Sequence, residues 1–199
     1  MINKLSFILA CYIQSNSRFN KNEELEQIHY ALVTILNEVF KIIILIILFS
    51  IIGNLNYLLF SMIVLLSIRL FSGGLHAKTL LGCLILTILF FTLTTIIAPL
   101  LPKLSPSTYY LLSLLSLSVI IIQAPYPNSK RPIKKKKRKL YLKTLAIFFS
   151  IFWIYILLCY ITTSPYLNCG ISTILLQSSQ LLYTKKELWI WKYLKNLTW

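Results

Sequence analysis

The chain has 199 residues, of which 57% are hydrophobic and only 13% are charged, and its formal net charge is +15. Soluble domains usually carry about a quarter charged residues, so this composition, with its apolar residues in long blocks, excludes an ordinary soluble protein and indicates a membrane protein. All five acidic residues are glutamates, which excludes an intramembrane aspartyl protease because that chemistry needs paired aspartates.

The cysteines and the excess of basic residues limit the kinds of site and binding partner that we expect. The four cysteines form no CxxC pair and no metal-ligand spacing, so we predict neither a disulfide framework nor a zinc site, and we expect no cofactor. In so apolar a chain the basic residues favour anionic lipid headgroups as partner, with an acidic peptide as a second candidate. Nucleic acid is not expected, because no aromatic residues are interleaved with the lysines.

The first element is an amphipathic region over residues 1–27. Apolar residues recur there at helical spacing, from Ile2 and Leu5 to Tyr12 and Ile13, which predicts a helix lying on the membrane surface. The acidic cluster from Glu23 to Glu26 is typical of the first turn of a following helix.

Six apolar blocks follow between residues 28 and 183, at 28–52, 55–70, 80–97, 109–123, 140–161 and 166–183. With their flanks, they reach the roughly 20 residues that a crossing helix needs, although the last block is the most polar. Gly53 and Asn54 predict a tight hairpin, and Pro99 and Pro102 predict the end of the third span. The predicted fold class is an all-α integral membrane protein of about six transmembrane helices plus an N-terminal interfacial amphipathic helix, in one polytopic domain covering residues 1–199.

The lysines and arginines orient these helices, because basic loops stay in the cytoplasm. The linkers near residues 53–57 and 162–168 carry none, so we expect a multi-pass protein of the cell membrane with both termini, the 69–78 link, the 125–139 loop and a 184–199 tail in the cytoplasm. The basic loop is a candidate contact for substrate or lipid, and it contains Lys130, Arg131, Lys134, Lys135, Lys136, Lys137, Arg138 and Lys139.

The stretch from Arg69 to Cys83 is the candidate for chemistry. Its thiol, Cys83, and its imidazole, His76, make a candidate nucleophile and general base at the start of a membrane span. In a continuous helix they would lie about 10 Å apart along the axis, too far for proton transfer. Gly73 and Gly74 permit a bend that would bring them together, with Cys83 in the first turns of the next helix, where the helix dipole favours a thiolate.

The same residues have simpler interpretations. A lone histidine and cysteine in a membrane protein are often packing residues, and His29 is interpreted as an interfacial residue. A third residue that orients the catalytic histidine cannot be an aspartate here, so the candidates are Glu38, Asn37 and Gln27. Glu38 is the one carboxylate inside a predicted span, but it could also pair with Lys41 on the same helix face.

The pattern Arg-x-x-x-Gly-Gly-x-His-x6-Cys, at Arg69, Gly73, Gly74, His76 and Cys83, resembles the signature of the accessory gene regulator protein B family, AgrB. These are membrane-embedded cysteine endopeptidases of Gram-positive quorum-sensing systems. Length, hydropathy and an Ala-Pro turn before the basic run are similar as well. The resemblance implies that Cys83 is the nucleophile, that His76 is the general base, and that Arg69 and Gly74 are further functional positions.

The resemblance also implies the reaction. The substrate would be a small AgrD-like propeptide with an acidic C-terminal tail. The enzyme thiolate would remove the tail and hold the remainder as an acyl-enzyme, and a cysteine or serine of the peptide would then close a thiolactone or lactone ring. Exclusion of water would favour cyclisation over hydrolysis. A homodimer is also suggested.

Other functions stay open at this point. The basic loop could attract the acidic tail and anionic lipid, or it could be solvated without any role in substrate binding. A transporter for a peptide or small cation, and a non-catalytic membrane scaffold, are the competing classes. A transporter would normally show more polar residues within its spans than Glu38 and Lys41.

Overall fold

The structure, a computed structural model, describes residues 2–15, 22–74, 79–126 and 136–197. The first four helices are α1 (Ile2–Ser15), α2 (Asn22–Ile52), α3 (Leu55–Ser72) and α4 (Leu80–Thr92). A π-helical turn (Leu93–Ile97) joins α4 to the short α5 (Ala98–Leu100), and α6 (Pro106–Gln123), α7 (Lys136–Cys159) and α8 (Ser164–Leu197) follow. The predicted all-α membrane fold is confirmed.

Five helical segments are long and apolar enough to cross a membrane: Ile28–Ile52, Leu55–Ser72, Leu81–Leu100, Pro106–Gln123 and Lys136–Cys159. The chain is therefore a multi-pass membrane protein. The sixth predicted span, 166–183, lies within α8 and is not one of the five in the described part of the chain. Amide side chains, such as those of Asn168, Gln177 and Gln180, make this helix less apolar than the others.

The chain divides into two units, Met1–Gly53 and Asn54–Trp199. In the first unit α1 packs on α2. Ser6 and Ala10, one turn apart, are completely buried, and the Phe7 ring meets His29 edge-on at 5.7 Å between centroids. The large apolar side chains of α1, including Leu5 and Ile8, are exposed. The predicted amphipathic helix is thus present, and its position at a membrane surface stays a prediction.

The second unit is built around α8, which packs against α3, α5, α6, α7 and the π-helical turn. Because neighbours surround it, α8 can bury polar side chains in contact with partners, as expected where no water is at hand. The Ser61 and Thr173 hydroxyls lie 2.7 Å apart, and Ser61 also lies 3.2 Å from the Thr94 hydroxyl of the π-helical turn. Gly170 lets α7 approach closely, since a Cβ there would meet Leu157 Cδ2 at 2.2 Å.

Contacts between helix ends define two ends of the second unit. We call the "link end" the group formed by Ser72, Gly73, Tyr126 and Gln177, where the ends of α3 and α6 meet the middle of α8. We call the "cap end" the group formed by Leu101, Tyr109 and Asn168, where α5 meets the starts of α6 and α8. The 69–78 link and the 125–139 loop therefore begin at the same end, as the basic residues predicted. Which side of the membrane this end faces stays a prediction.

Three helix boundaries differ from the predicted ones. Helix α7 already begins at Lys136, so the last four basic residues of the 125–139 segment are helical, in keeping with the good helix propensity of Lys and Arg. Helix α8 runs on to Leu197 through most of the predicted tail, which contains no glycine or proline between 184 and 197. The third span ends at Leu100, between Pro99 and Pro102, three residues beyond the predicted block, and Pro99 lies in α5 directly after the π-helical turn.

Candidate functional site

The site begins where α3 ends. Helix α3 stops at Ser72, and Gly73 has φ +77° and ψ −167°, a backbone conformation that is essentially limited to glycine. The Gly73 N–H still donates to the Arg69 carbonyl at 2.9 Å, which closes the last turn of the helix. The chain from Arg69 to Cys83 is therefore not one continuous helix, as the glycine pair predicted.

Arg69 and Gly74, the two motif positions on either side of this break, are in contact. Gly74 is buried, and a Cβ at this position would lie 3.1–3.3 Å from the Cζ, Nε and Nη2 atoms of Arg69. The Arg69 Nη1 group donates to Gln180 Oε1 at 3.1 Å. The absence of a side chain at Gly74 is thus what lets the guanidinium group lie against the link.

Gln177 of α8 and Tyr126 after α6 hold the same break from two sides. The Gln177 side chain is completely buried, and its Nε2 donates to the Gly73 carbonyl at 2.7 Å and to the Ser72 hydroxyl at 3.1 Å. The Tyr126 N–H donates to the Ser72 carbonyl at 2.9 Å. A Cβ on Gly73 would lie only 3.1 Å from the Tyr126 carbonyl oxygen, so glycine is needed for the close approach as well as for the backbone angles.

Cys83 lies in the first turn of α4, the position that the sequence predicted for it. Thr79 is extended and caps the helix, its hydroxyl accepting from the Gly82 N–H at 3.1 Å. The Cys83 N–H donates to the Thr79 carbonyl at 3.0 Å, and the Cys83 carbonyl accepts from the Thr87 hydroxyl at 2.7 Å. The thiol is half-buried and forms no disulfide. The cap thus holds the backbone of a candidate nucleophile near a helix N-terminus.

Several predicted site residues lie elsewhere or outside the described residues. His76 is outside them, and so are Lys130, Arg131, Lys134 and Lys135. The other four basic residues occupy the first turn of α7, where all are exposed: Lys136, Lys137, Arg138 and Lys139.

The candidates for a third residue belong to the first unit. Glu38 Oε1 lies 2.6 Å from Lys41 Nζ, so the structure contains the local pair that was one of the two interpretations of this carboxylate. The Lys41 side chain is 6% exposed and the Glu38 side chain 48%. Asn37 Oδ1 is buried without a hydrogen-bond partner in the described residues, and the Gln27 side chain is outside them.

Sequence reasoning missed the residues that support the break, above all Gln177 and Gln180. One signal was available: two amides three residues apart fall on one face of a helix, and polar side chains in an apolar segment are usually functional or paired. The supporting roles of Ser72, Thr79 and Tyr126 depend on backbone contacts that a sequence pattern does not show.

Comparison with known proteins gives independent information. The profile of the family described as Accessory gene regulator B matches residues 6–181. An AgrB-like protein of Clostridium beijerinckii is 36% identical over 182 residues, which is 92% of this chain and 89% of that protein. No solved structure matches.

Proposed function

The chain belongs to the accessory gene regulator B family, and from this premise we propose that it is a membrane cysteine endopeptidase that processes a small quorum-sensing propeptide. Cys83 is the nucleophile, His76 the general base, and Arg69, Gly73 and Gly74 support them. The single observation that carries the proposal is the position of Cys83, in the first turn of a capped helix that follows the end of α3 at Gly73.

The reaction needs two acyl transfers. The Cys83 thiol attacks the carbonyl before the acidic tail, its proton passes to His76, and the C–N bond breaks with the proton delivered to the leaving amine. The remainder of the propeptide is then a thioester on Cys83. A cysteine or serine of the peptide attacks this thioester, releases the enzyme thiol, and closes a thiolactone or lactone ring.

The surroundings of Cys83 suit the second transfer. Helix α4 begins at Leu80, one residue before the apolar segment Leu81–Leu100, so the thiol lies near the edge of a span. An amphipathic propeptide held at the membrane surface would reach this depth. Partial exclusion of water there favours attack by the thiol or hydroxyl of the peptide over hydrolysis.

The exposed basic residues at the start of α7 give electrostatic attraction a part in the proposed function. Lys136, Lys137, Arg138 and Lys139 lie at the beginning of the span Lys136–Cys159, where they can attract an acidic tail and anionic headgroups together. Such attraction raises the local concentration of an acidic substrate at the membrane, and it weakens as salt increases.

The test is co-expression with a small propeptide that has an amphipathic leader, an internal cysteine or serine and an acidic C-terminal tail. Cys83→Ala should abolish tail removal, by roughly 1000-fold or more, because a nucleophile cannot be replaced by binding contacts alone. Cys159→Ala is the matched control, since this cysteine is also free but lies exposed at the end of α7. Mass spectrometry should find a peptidyl adduct on Cys83 in the parent protein.

Other outcomes separate the competing classes. Tail removal that persists in Cys83→Ala membranes would contradict the proposal. Peptide transport that survives loss of both Cys83 and His76 would indicate a transporter. Alkylation of Cys83 no faster than that of Cys11 or Cys159 would indicate a scaffold.

A further inference from the structure

We propose that Gln177 and Gln180 of α8 are positioning residues for the segment that carries His76 and Cys83. Gln177 acts as a hydrogen-bond donor to the start of the link, and Gln180 acts as a hydrogen-bond acceptor for Arg69. The proposal rests on the function proposed above, but the structural part can be measured without a substrate.

The Gln177 amide holds the first peptide group after α3. Its Nε2 donates both to the Gly73 carbonyl and to the Ser72 hydroxyl, at 2.7 and 3.1 Å. Ser72 and Gln177 are both completely buried, so no water replaces the amide if it is lost. The Gln177 Oε1 atom is buried and has no hydrogen-bond partner within the described ranges, so the donors account for the hydrogen bonding of this side chain.

Gln180 lies three residues further along the same helix face, and its side chain accepts a hydrogen bond, whereas that of Gln177 donates. Its Oε1 accepts from Arg69 Nη1 at 3.1 Å, while the other side of that guanidinium group lies against Gly74. Arg69 is thereby held between α8 and the link. Together the two glutamines tie α8 to Arg69, Ser72 and Gly73 at the end of α3.

Because Gln177 donates its hydrogen bonds and Gln180 accepts one, substitution by glutamate should affect the two positions differently. A role in packing alone would not predict this difference. In Gln177→Glu a carboxylate oxygen replaces the amino group and faces the Gly73 carbonyl oxygen, so attraction becomes repulsion. In Gln180→Glu the acceptor is kept and now carries a charge opposite to that of Arg69. Glutamate should therefore be harmful at 177 and accepted at 180, whereas leucine should be harmful at both.

The experiment uses the full-length protein in membranes with its propeptide. Gln177→Glu, Gln177→Leu and Gln180→Leu should each lower kcat by about tenfold or more with little change in KM, because the link is displaced while substrate binding is retained. Gln180→Glu should recover most of the activity lost in Gln180→Leu. In parallel, hydrogen–deuterium exchange of peptides between Arg69 and Cys83 should rise in the three harmful variants.

Asn168→Leu is the matched control, because it removes a buried amide from the same helix at the cap end. Asn168 donates to the Leu101 carbonyl at 2.9 Å and accepts from the Tyr109 hydroxyl. It should lower thermal stability but leave exchange of the 69–83 peptides and the kcat of the folded fraction unchanged. This separates a local effect on the link from a general loss of stability.

Three results would overturn the proposal: unchanged exchange in Gln177→Glu, unchanged kcat despite faster exchange, or an equal loss of kcat in Asn168→Leu per folded molecule. Failure of the proposed function looks different. Cys83→Ala would then still release the tail, while exchange near Gly73 would still respond to Gln177→Glu.

Discussion

The link end and the cap end of the second unit are built with the same device, a buried amide of α8, but with different results. At the cap end Asn168 uses both atoms of its amide, accepting from the Tyr109 hydroxyl and donating to the Leu101 carbonyl. The Tyr109 hydroxyl in turn accepts from the Leu104 N–H at 3.1 Å. Every group in this small network has a partner, and the segment between α5 and α6 is fixed by it.

At the link end only the Nε2 group of Gln177 forms hydrogen bonds within the described residues. It holds Gly73 in a conformation that other residues rarely adopt. The cap end therefore resembles an ordinary structural contact, in which polar groups satisfy one another. The link end instead requires a glycine at position 73, ten residues before the candidate nucleophile in the chain. Conformations that are rare for other residues persist where surrounding contacts enforce them, and such positions cluster at functional sites.

The largest effect should come from replacing Gly73. In Gly73→Ala the Cβ meets the unfavourable φ of +77° and approaches the Tyr126 carbonyl oxygen to 3.1 Å. Strain of this kind costs about 1–3 kcal/mol, so we expect propeptide cleavage per folded molecule to fall by roughly 5- to 150-fold. Quantitative mass spectrometry of the released tail measures it.

Gly53→Ala is the control for this variant, because Gly53 has a φ of +83° but no atom within 4 Å of its Cβ position. It should lower stability through backbone strain alone and leave cleavage by the folded fraction nearly intact. Equal losses of cleavage in the two variants would break the distinction between the link end and the remainder of the chain.

A smaller effect on activity, but a clear one on stability, is expected at Gly170, two residues beyond Asn168. In Gly170→Ala the new methyl group would lie 2.2 Å from Leu157 Cδ2 in a fully buried contact, so α7 and α8 must separate or Leu157 must change rotamer. Overpacking of this kind typically costs about 1–3 kcal/mol. The melting temperature in detergent should fall, with cleavage per folded molecule unchanged.

The double variant Gly170→Ala/Leu157→Ala sharpens this measurement. Leu157→Ala alone leaves a cavity and should destabilise by about 2–5 kcal/mol. Because the two substitutions exchange volume across one contact, the double variant should be more stable than the sum of the single losses predicts. Strict additivity would mean that the two helices do not touch at Gly170.

The smallest effect on cleavage is expected at Glu38. Its partner Lys41 is almost fully buried, so Glu38→Gln removes the carboxylate of this ion pair and should lower stability. Glu38→Gln/Lys41→Met removes both charges and should recover much of the stability. Cleavage per folded molecule should change by less than about threefold in both variants. A tenfold loss of kcat without loss of stability would instead support a role of Glu38 in orienting His76.

The parts of the fold that could be predicted from the sequence are those set by local pattern. Long apolar blocks fixed the spans, Gly73 and Gly74 marked the break after α3, and the Thr79–Cys83 segment was correctly expected to open a helix. The roles of Gln177 and Gln180 were missed because they contact residues more than 100 positions earlier in the chain. The number of spans was also hard to predict from the sequence. Helix α8 tolerates its polar side chains only because other helices surround it, and a sequence pattern does not show those contacts.

The predictions of the helix boundaries were inaccurate for a related reason. The basic residues from Lys136 were assigned to a loop on charge alone, although Lys and Arg extend a helix readily once a span follows. The third span runs three residues past the predicted Ile97, because the chain stays helical through the π-helical turn and α5 and ends at Leu100, between Pro99 and Pro102. A π-helical turn has no simple sequence signature, and in this one the side chains of Thr94 and Thr95 are buried.

That π-helical turn also sets the rotation of α4 about its own axis. A π turn is equivalent to one extra residue in an α-helix, and each residue turns an α-helix by about 100°. The segment after the turn ends at Leu101, whose carbonyl is bound by Asn168, and Thr94 within the turn contacts Ser61. With that side anchored, deletion of a single residue between Leu93 and Ile97 would rotate α4 by about 100° about its axis, so that Cys83 would point in a different direction relative to the rest of the second unit. The angular setting of the thiol is therefore decided downstream of it, by an inserted residue that carries no chemistry of its own.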